Sequence, residues 1–268
     1  MMFASDLDRT LIYSHKFFES EQISGHVRNV EKLNGKEISF MTEKAIVLLQ
    51  ELAKEMMFVP VTTRTIEQYN RVTLFQHEIR PFYAITCNGG VVLENGEVDR
   101  YWQDHIKNKI KNGAISVEDV KRKIEETSDA SWLKSIRVVD QFFVYLVINT
   151  ELTPHELMGY YSKWAAEHGW IFSLQGRKVY FIPSFINKWD ATRYVADKEG
   201  KSRVYTAGDS NLDVCLIEQA DFGIIPRHGE AAVDFSHLEL TKKTGVLASE
   251  EIIETILSKR RNLIMTHR

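Results

Sequence analysis

The chain opens with Met1-Met2-Phe3-Ala4-Ser5-Asp6-Leu7-Asp8-Arg9-Thr10, an apolar run that leads directly into two carboxylates. The run from Met1 to Ser5 predicts a short buried strand. In an open parallel sheet, ligands bind at the carboxyl ends of the strands, where Asp6 and Asp8 would lie. Two like charges so close need a proton or a cation between them. Mg²⁺ suits such a site because it prefers oxygen ligands and keeps positions for water and phosphate oxygens.

Two more polar clusters follow short apolar strands. Thr62 comes after Phe58 to Val61, and Asp209 and Asp213 come after Arg203 to Thr206. Residues at the ends of neighbouring parallel strands meet at one edge of the sheet, so the two aspartates could complete a Mg²⁺ site with Asp6 and Asp8. A carboxylate beside such a metal can attack phosphorus. A neighbouring carboxyl can protonate the leaving oxygen and then deprotonate water.

The order of the segments predicts an α/β fold with a Rossmann-like parallel-sheet core. Up to Gly90, short buried strands alternate with helical patterns, one of them over residues 65–75, which is typical of a parallel sheet covered by helices. Asn34-Gly35 predicts a flap-like hairpin within this part. After Gly90 the pattern changes to hairpins and amphipathic helices, and from Asn187 the alternation resumes. We therefore predict a core of residues 1–90 and 184–268, and an inserted α+β cap of residues 91–183.

The composition is that of a soluble globular protein, with 44% hydrophobic and 26% charged residues among 268. The net charge of -3 gives no reason to expect nucleic acid or a membrane as a partner. Two cysteines cannot build a disulfide framework, so we expect a cytoplasmic protein. No apolar stretch reaches the ~18 residues of a membrane helix, and the N-terminus does not resemble a signal peptide. The oligomeric state stays open.

Four motifs occur in a fixed order. They are Asp6-Leu7-Asp8-Arg9-Thr10, Thr62-Thr63-Arg64, Asn187-Lys188-Trp189-Asp190-Ala191 and Gly208-Asp209-Ser210-Asn211-Leu212-Asp213. This set resembles the haloacid dehalogenase (HAD) superfamily, in the Cof-type branch (subfamily IIB) that inserts an α/β cap between the second and third motifs. Within that branch, the run from Gly176 to Pro183 is similar to the cap exit of sucrose-phosphate and related sugar-phosphate phosphatases.

The resemblance implies a Mg²⁺-dependent phosphatase that forms an aspartyl-phosphate and acts on a small phosphorylated metabolite, such as a sugar phosphate. Asp6 would be the nucleophile, and Asp8 the general acid and base, with its main-chain carbonyl on Mg²⁺. Thr62 and Lys188 would hold the phosphoryl oxygens. The implied metal ligands are Asp6, Asp8, Asp209 and Asp213. The implied substrate-binding residues are Arg64, Asn88, Gly89, Arg177 and Lys178.

Three residues depart from the usual motifs. Arg9 and Trp189 stand where glycine is usual, and Leu212 replaces an asparagine of the fourth motif. The basic pair Arg177-Lys178 stands where related sugar phosphatases often carry an acidic residue. Such a pair could favour a substrate with a second anionic group, although it could equally be a solvated part of a hairpin.

Two other functions fit the same motifs. A phosphomutase of the phosphomannomutase type shares the motifs and the cap type, but it would need a bisphosphate activator. A non-catalytic ligand-binding relative would be expected to lose a motif carboxylate, and all four acidic positions are filled here.

Overall fold

The computed structural model describes residues 1–19, 26–113 and 115–266. Its strands in chain order are β1 (Met2–Ser5), β2 (Val27–Leu33), β3 (Lys36–Thr42), β4 (Met57–Pro60), β5 (Tyr83–Thr86), β6 (Val91–Glu94), β7 (Glu97–Val98), β8 (Leu133–Val139), β9 (Phe143–Ile148), β10 (Trp170–Gln175), β11 (Lys178–Pro183), β12 (Val204–Ala207), β13 (Phe222–Ile225) and β14 (Glu239–Leu240). Its α-helices are α1 (Lys16–Glu19), α2 (Glu43–Glu55), α3 (Ile66–Asn70), α4 (Thr73–His77), α5 (Arg100–Asn112), α6 (Val117–Thr127), α7 (His155–Glu167), α8 (Lys188–Lys198), α9 (Val214–Glu218), α10 (Ala231–Asp234) and α11 (Gly245–Thr266). Short 3₁₀ turns lie at Cys87–Gly89 and Asn211–Asp213.

The chain divides into two compact units, residues 1–98 with 188–268 and residues 99–187. The first contains a five-stranded parallel sheet in the order β14-β13-β12-β1-β4. The central strands β1 and β12 are mainly apolar and buried along their whole length, as expected for a sheet covered on both faces. Helices α2 and α11 pack together in this unit, and α8 packs on α9. The α/β fold with a parallel-sheet core is thus confirmed.

The register of the central strands places the motif residues side by side. Ser5 at the end of β1 pairs with Ala207 of β12 on one side and with Pro60 of β4 on the other. The backbone N–H of Asp6 donates to the Ala207 carbonyl at 2.9 Å, so the first and fourth motifs leave the sheet at the same level. A parallel bridge from Val61 to Ile85 then brings in the end of β5.

Two antiparallel elements complete the first unit. Strands β2 and β3 form the predicted hairpin around Asn34-Gly35, with both turn residues at positive φ. Strands β5, β6 and β7 form a three-stranded sheet that turns at Asn95-Gly96. The hairpin of β6 and β7 lies in the first unit, and the second unit spans residues 99–187, whereas the cap was predicted over residues 91–183.

The second unit is an α+β insertion, as the sequence predicts. Its antiparallel sheet runs in the order β10-β11-β9-β8. Helices α6 and α7 share a hydrophobic core with one face of this sheet, formed by residues such as Val120, Tyr161, Leu146 and Phe181. The other face of the sheet carries Tyr145 of β9, which pairs with Tyr180 of β11 on one side and with Arg137 of β8 on the other.

Two local predictions were wrong. The strand that the sequence predicts over residues 97–101 ends at Val98, because Asp99 caps α5 by accepting a hydrogen bond from the Trp102 N–H at 2.9 Å. The single helix expected over residues 65–75 is two short helices, which break at Arg71 and Val72. Val72 forms an isolated antiparallel bridge with Glu31 of β2, while its N–H donates to the Tyr69 carbonyl at 3.0 Å.

Candidate active site

Three buried carboxylates meet at the carboxyl ends of β1 and β12. One oxygen each of Asp6, Asp209 and Asp213 lies within 4.8 Å of the others. Asp6 directly follows β1, and Asp209 and Asp213 follow β12. The three side chains are almost inaccessible to solvent. A set of carboxylate oxygens this close suits a hard cation such as Mg²⁺, so the residues fit the predicted metal.

Lys188 at the start of α8 neutralises two of these carboxylates. Its Nζ donates to Asp6 Oδ1 and to Asp213 Oδ1, both at 2.6 Å, and its side chain is buried. Burial disfavours the charge of Lys188, but Asp213 and Asp6 outweigh that effect and raise its pKa. An ammonium group has three donors, so one remains for a ligand oxygen.

Burial makes it costly for Asp6 and Asp209 to be ionised when no cation is bound. In the protein without metal, burial raises the pKa of Asp6 to about 7, although Lys188 opposes the shift. Burial likewise raises the pKa of Asp209, with Asp6 and Asp213 adding to the effect. A divalent cation would stabilise the ionised forms of both groups.

Local sequence explains why Asp213 turns inward. The Ser210 N–H and hydroxyl donate to Asp213 Oδ2 at 2.9 and 2.7 Å, which closes a capping box at the 3₁₀ turn after β12. A Cβ at Gly208 would lie 2.3 Å from the Asp213 Cβ, so only glycine fits there. The Gly-Asp-Ser sequence of the fourth motif therefore shapes the carboxylate cluster.

Thr62 stands at the end of the strand next to Asp6. It is fully buried, and its N–H donates to the Ile85 carbonyl at 2.8 Å. Its hydroxyl accepts the Arg64 N–H at 3.1 Å, which leaves the hydroxyl hydrogen to donate. The Asn88 N–H donates to the Thr62 carbonyl, and residues Cys87 to Gly89 all have positive φ. Asn88 and Gly89 are therefore tied to the Thr62 loop.

Asp8 has a different environment from the three buried carboxylates. Its side chain is half exposed and accepts a two-pronged ion pair from Arg64, with Nε to Oδ2 at 2.7 Å and Nη2 to Oδ1 at 2.8 Å. Its carboxylate is thus bound to an arginine, while the metal role implied for Asp8 rests on its main-chain carbonyl. Arg64, for which a substrate-binding role was expected, holds the expected general acid in this structure.

Arg9 is the second arginine at the site. Its backbone has φ 64°, and its Nε lies 3.4 Å from Asp209 Oδ2. His228 Nε2 donates to the Arg9 carbonyl at 2.9 Å, while Nδ1 accepts the Gly245 N–H at 3.0 Å. These two bonds fix a neutral tautomer of His228, and burial lowers its pKa. The sequence signalled Arg9 only as a departure from the motif, and nothing in it pointed to His228.

The remaining predicted residues lie in the second unit. Arg177 is exposed in the turn between β10 and β11, and Lys178 is exposed at the start of β11. The Lys178 Nζ lies 5.5 Å from the centre of the Tyr145 ring, on the sheet face opposite the helices. The sequence did not single out two further residues of the first unit. Glu31 Oε2 lies 2.9 Å from Arg64 Nη1, and Arg71 Nε donates to Glu31 Oε1 at 3.1 Å.

The sequence profile of the haloacid dehalogenase-like hydrolases matches residues 3–235. The chain belongs to this family. Membership confirms the resemblance drawn from the four motifs and the expectation of a hydrolase. Among proteins of curated function, none matches the sequence.

Solved structures show that this HAD hydrolase shares its fold with distant relatives. It is similar to the sucrose-phosphatase of Synechocystis sp. PCC6803, solved with sucrose and phosphate, at 16% identity and a TM-score of 0.66 over 95% of this chain and 97% of that one. It is also similar to a sugar phosphatase of HAD subclass IIB, at 13% identity and a TM-score of 0.64 over 95% and 98% of the two chains. A trehalose-6-phosphate phosphatase related protein matches at 17% identity and a TM-score of 0.53, over 97% and 100%.

Proposed function

We propose that this HAD hydrolase is a Mg²⁺-dependent phosphatase that hydrolyses a small phosphate monoester through an aspartyl-phosphate on Asp6. The observation that carries the proposal is the buried group of Lys188, Asp6 and Asp213, with Lys188 Nζ 2.6 Å from both carboxylates. Family membership adds the general chemistry. The similarity in fold to a sucrose-phosphatase and to a sugar phosphatase favours a sugar phosphate or a related metabolite as the substrate.

In the first step, Asp6 attacks the phosphorus atom while the bond to the leaving oxygen breaks. Lys188 and the Thr62 hydroxyl donate to the phosphoryl oxygens, where negative charge spreads in the transition state. Asp8 enters this step protonated and gives its proton to the leaving oxygen, and the carboxylate that results is the form that accepts both hydrogen bonds from Arg64. The products are the free alcohol and a phosphoryl group bound to Asp6.

In the second step, a water molecule attacks the phosphorus atom of the phosphorylated Asp6. Asp8, now ionised, takes a proton from that water, and the bond between phosphorus and the Asp6 oxygen breaks. Inorganic phosphate leaves and Asp6 is restored. Asp6, Asp209 and Asp213 would hold Mg²⁺, which supplies positive charge for the phosphoryl oxygens and keeps the buried carboxylates ionised.

An Asp6→Asn variant tests this proposal. Asparagine keeps the size of the side chain but is a poor nucleophile, so release of phosphate from p-nitrophenyl phosphate in Mg²⁺ should fall on the order of 10³-fold or more. Turnover equal to that of the parent would refute the mechanism. Steady release of phosphate without a bisphosphate activator would exclude the phosphomutase alternative. Activity of the parent in itself would exclude a purely ligand-binding relative.

We further propose that Arg177 and Lys178 favour a substrate with a second anionic group. Lys178 and Arg137 lie on the same face of the second sheet and flank Tyr145, which gives that face two positive charges. A Lys178→Glu variant should lose turnover of acidic sugar phosphates more than turnover of neutral ones. An unchanged preference would show that the basic pair is only solvated.

As the sequence predicts, we expect the enzyme to act in the cytoplasm. Among the described residues, no helix is long and apolar enough to cross a membrane.

A further inference from the structure

A fully buried glutamate, Glu31, lies outside the four motifs and contacts the residue that holds Asp8. Its Oε2 is 2.9 Å from Arg64 Nη1 and accepts the Ser39 hydroxyl at 2.6 Å, while Oε1 accepts Arg71 Nε at 3.1 Å. The side chain of Glu31 is completely shielded from solvent. Both oxygens are thus occupied by donors from three separate segments.

A bulge in the β2–β3 hairpin turns Glu31 inward. The pairing register shifts between Asn29 and Glu31 and again between Glu31 and Lys32, so Val30 and Glu31 are both buried although they are consecutive. The Asn29 Nδ2 stabilises the bulge by donating to the carbonyls of Glu31 at 2.8 Å and Ser39 at 3.0 Å. A regular strand would point one of these two neighbours to the opposite face.

Arg64 links this buried carboxylate to Asp8. The guanidinium uses Nη1 for Glu31 and uses Nε and Nη2 for Asp8, so its plane is fixed from both sides. Arg64 itself is only 10% exposed, whereas the side chain of Asp8 is 52% exposed. Because the guanidinium is rigid and planar, the orientation that Glu31 imposes on it also sets the orientation of the Asp8 carboxylate on its other side.

We propose that Glu31 is a positioning residue for catalysis: it orients Arg64, and through Arg64 it holds the Asp8 carboxylate in the geometry for proton transfer. A buried ion pair contributes little net stability compared with apolar residues of similar size, so stability alone gives no reason for a charged residue there. Proton transfer, in contrast, depends strongly on the placement of the acid. The inference rests on the proposed phosphatase function, in which Asp8 protonates the leaving oxygen.

The test uses two substrates that differ in their need for an acid. p-Nitrophenyl phosphate has a good leaving group that needs little protonation, whereas glycerol 2-phosphate has an alkoxide leaving group that needs it. The measured quantity is kcat/KM for each substrate, which includes the step that breaks the bond to the leaving group. In Glu31→Gln, kcat/KM for glycerol 2-phosphate divided by kcat/KM for p-nitrophenyl phosphate should fall about tenfold. A general acid contributes roughly 10²- to 10⁴-fold to the rate, and misplacing it should remove part of that contribution.

Glu78→Gln is the matched control, since Glu78 also binds an arginine, Arg28, at 2.9 Å, but at the surface. Its ratio should equal that of the parent. Both substrates are assayed on the same sample, so partial unfolding of Glu31→Gln would lower both rates equally and leave the ratio unchanged. If that variant does not fold, Ser39→Ala, which removes the 2.6 Å hydrogen bond to Glu31, should lower the ratio in the same direction.

The outcomes separate this inference from the function on which it rests. A selective fall in the ratio for Glu31→Gln or Ser39→Ala supports the positioning role. An unchanged ratio in the folded variants overturns it, even if both rates fall. If the parent hydrolyses neither ester, or if Asp6→Asn is as active as the parent, the proposed phosphatase function fails instead.

Discussion

Among single residues, Lys188 has the largest share in holding the buried carboxylates together. Its ammonium group is the shared partner of Asp6 and Asp213, and all three side chains are almost without solvent contact. Such a group is stable only as a set, because an unpaired charge in the interior is costly.

Lys188→Met should therefore destabilise the metal-free protein by about 3–5 kcal/mol, as expected when one partner of a buried ion pair is removed. Urea unfolding in EDTA measures the effect. The control is Lys198→Met, which removes a half-exposed pair with Glu94 and should cost less than about 1 kcal/mol. Equal stability of the two variants would show that Lys188 is not needed to neutralise the cluster.

We expect Arg9 to compete with a metal ion for Asp209. The guanidinium lies 3.4 Å from Asp209 Oδ2, and Glu230 at 3.8 Å from its Nη1 offers it a second partner. Replacing Arg9 by glutamine removes the positive charge, so Mg²⁺ should bind roughly two- to fivefold more tightly, within the range of a partly exposed ion pair.

Isothermal titration calorimetry with Mg²⁺ alone measures this change. Arg193→Gln, which breaks an exposed pair with Asp197, is the control and should leave the affinity as it is. An unchanged or weaker affinity in Arg9→Gln would contradict competition at Asp209.

Among the elements, the turn after β12 has the strictest sequence requirement, because it needs glycine at position 208. A Cβ at Gly208 would lie 2.3 Å from the Asp213 Cβ and 2.5 Å from its Cγ. Gly208→Ala should displace Asp213, destabilise the protein by about 1–3 kcal/mol and reduce activity.

Gly159→Ala is the matched control for this substitution. Gly159 lies within α7, and an added Cβ there has no neighbour within 4 Å. Because alanine favours helix, this change should stabilise the protein by about 0.5–1 kcal/mol. Thermal unfolding and kcat of both variants test the pair, and a tolerated Gly208→Ala with full activity would contradict the tight turn.

The elements also show where the sequence predicts structure and where it does not. Strands β1, β4 and β12 are short apolar runs that lead into motif residues, and each was predicted close to its observed bounds, whereas the two-residue edge strand β14 was not predicted. Helix α5 was missed because it is mostly charged and polar, and only Trp102 and Ile106 are fully buried. The break between α3 and α4 could not be predicted, since it depends on a pairing of Val72 with the distant Glu31.

Some contacts of the candidate site could likewise be predicted from the sequence and others could not. The carboxylate group was predictable because each member follows a strand whose neighbours could be inferred from the alternating pattern. The Arg64–Asp8 pair joins residues 56 positions apart, and Glu31 reaches Arg64 only through a bulge in a hairpin. Such contacts depend on side-chain directions that a pattern of apolar residues does not specify.

For the whole molecule, the buried carboxylates make stability depend on pH and on metal. An unfolded aspartate ionises near pH 4, whereas burial raises the pKa of Asp6 to about 7 in the metal-free protein. The unfolded chain therefore loses this proton first, and stability should fall as pH rises from about 4 to about 7. Asp209 contributes in the same direction.

Under the proposed function, Mg²⁺ would bind the ionised carboxylates, so its stabilising effect should grow with pH. Thermal unfolding at about pH 5.5 and about pH 8, in EDTA and in Mg²⁺, measures both effects. We expect the larger increase in Tm at the higher pH. An equal increase at both pH values would contradict a metal site built from carboxylates of raised pKa.

The central claim is that the phosphoryl group is transferred to Asp6. The most direct measurement is to quench the enzyme with acid during turnover, reduce acyl phosphates with borohydride and locate the product by peptide mass spectrometry. We predict homoserine at position 6, formed from the phosphorylated Asp6, and none in Asp6→Asn. Reduction at another residue, or turnover without any reducible acyl phosphate, would contradict the account.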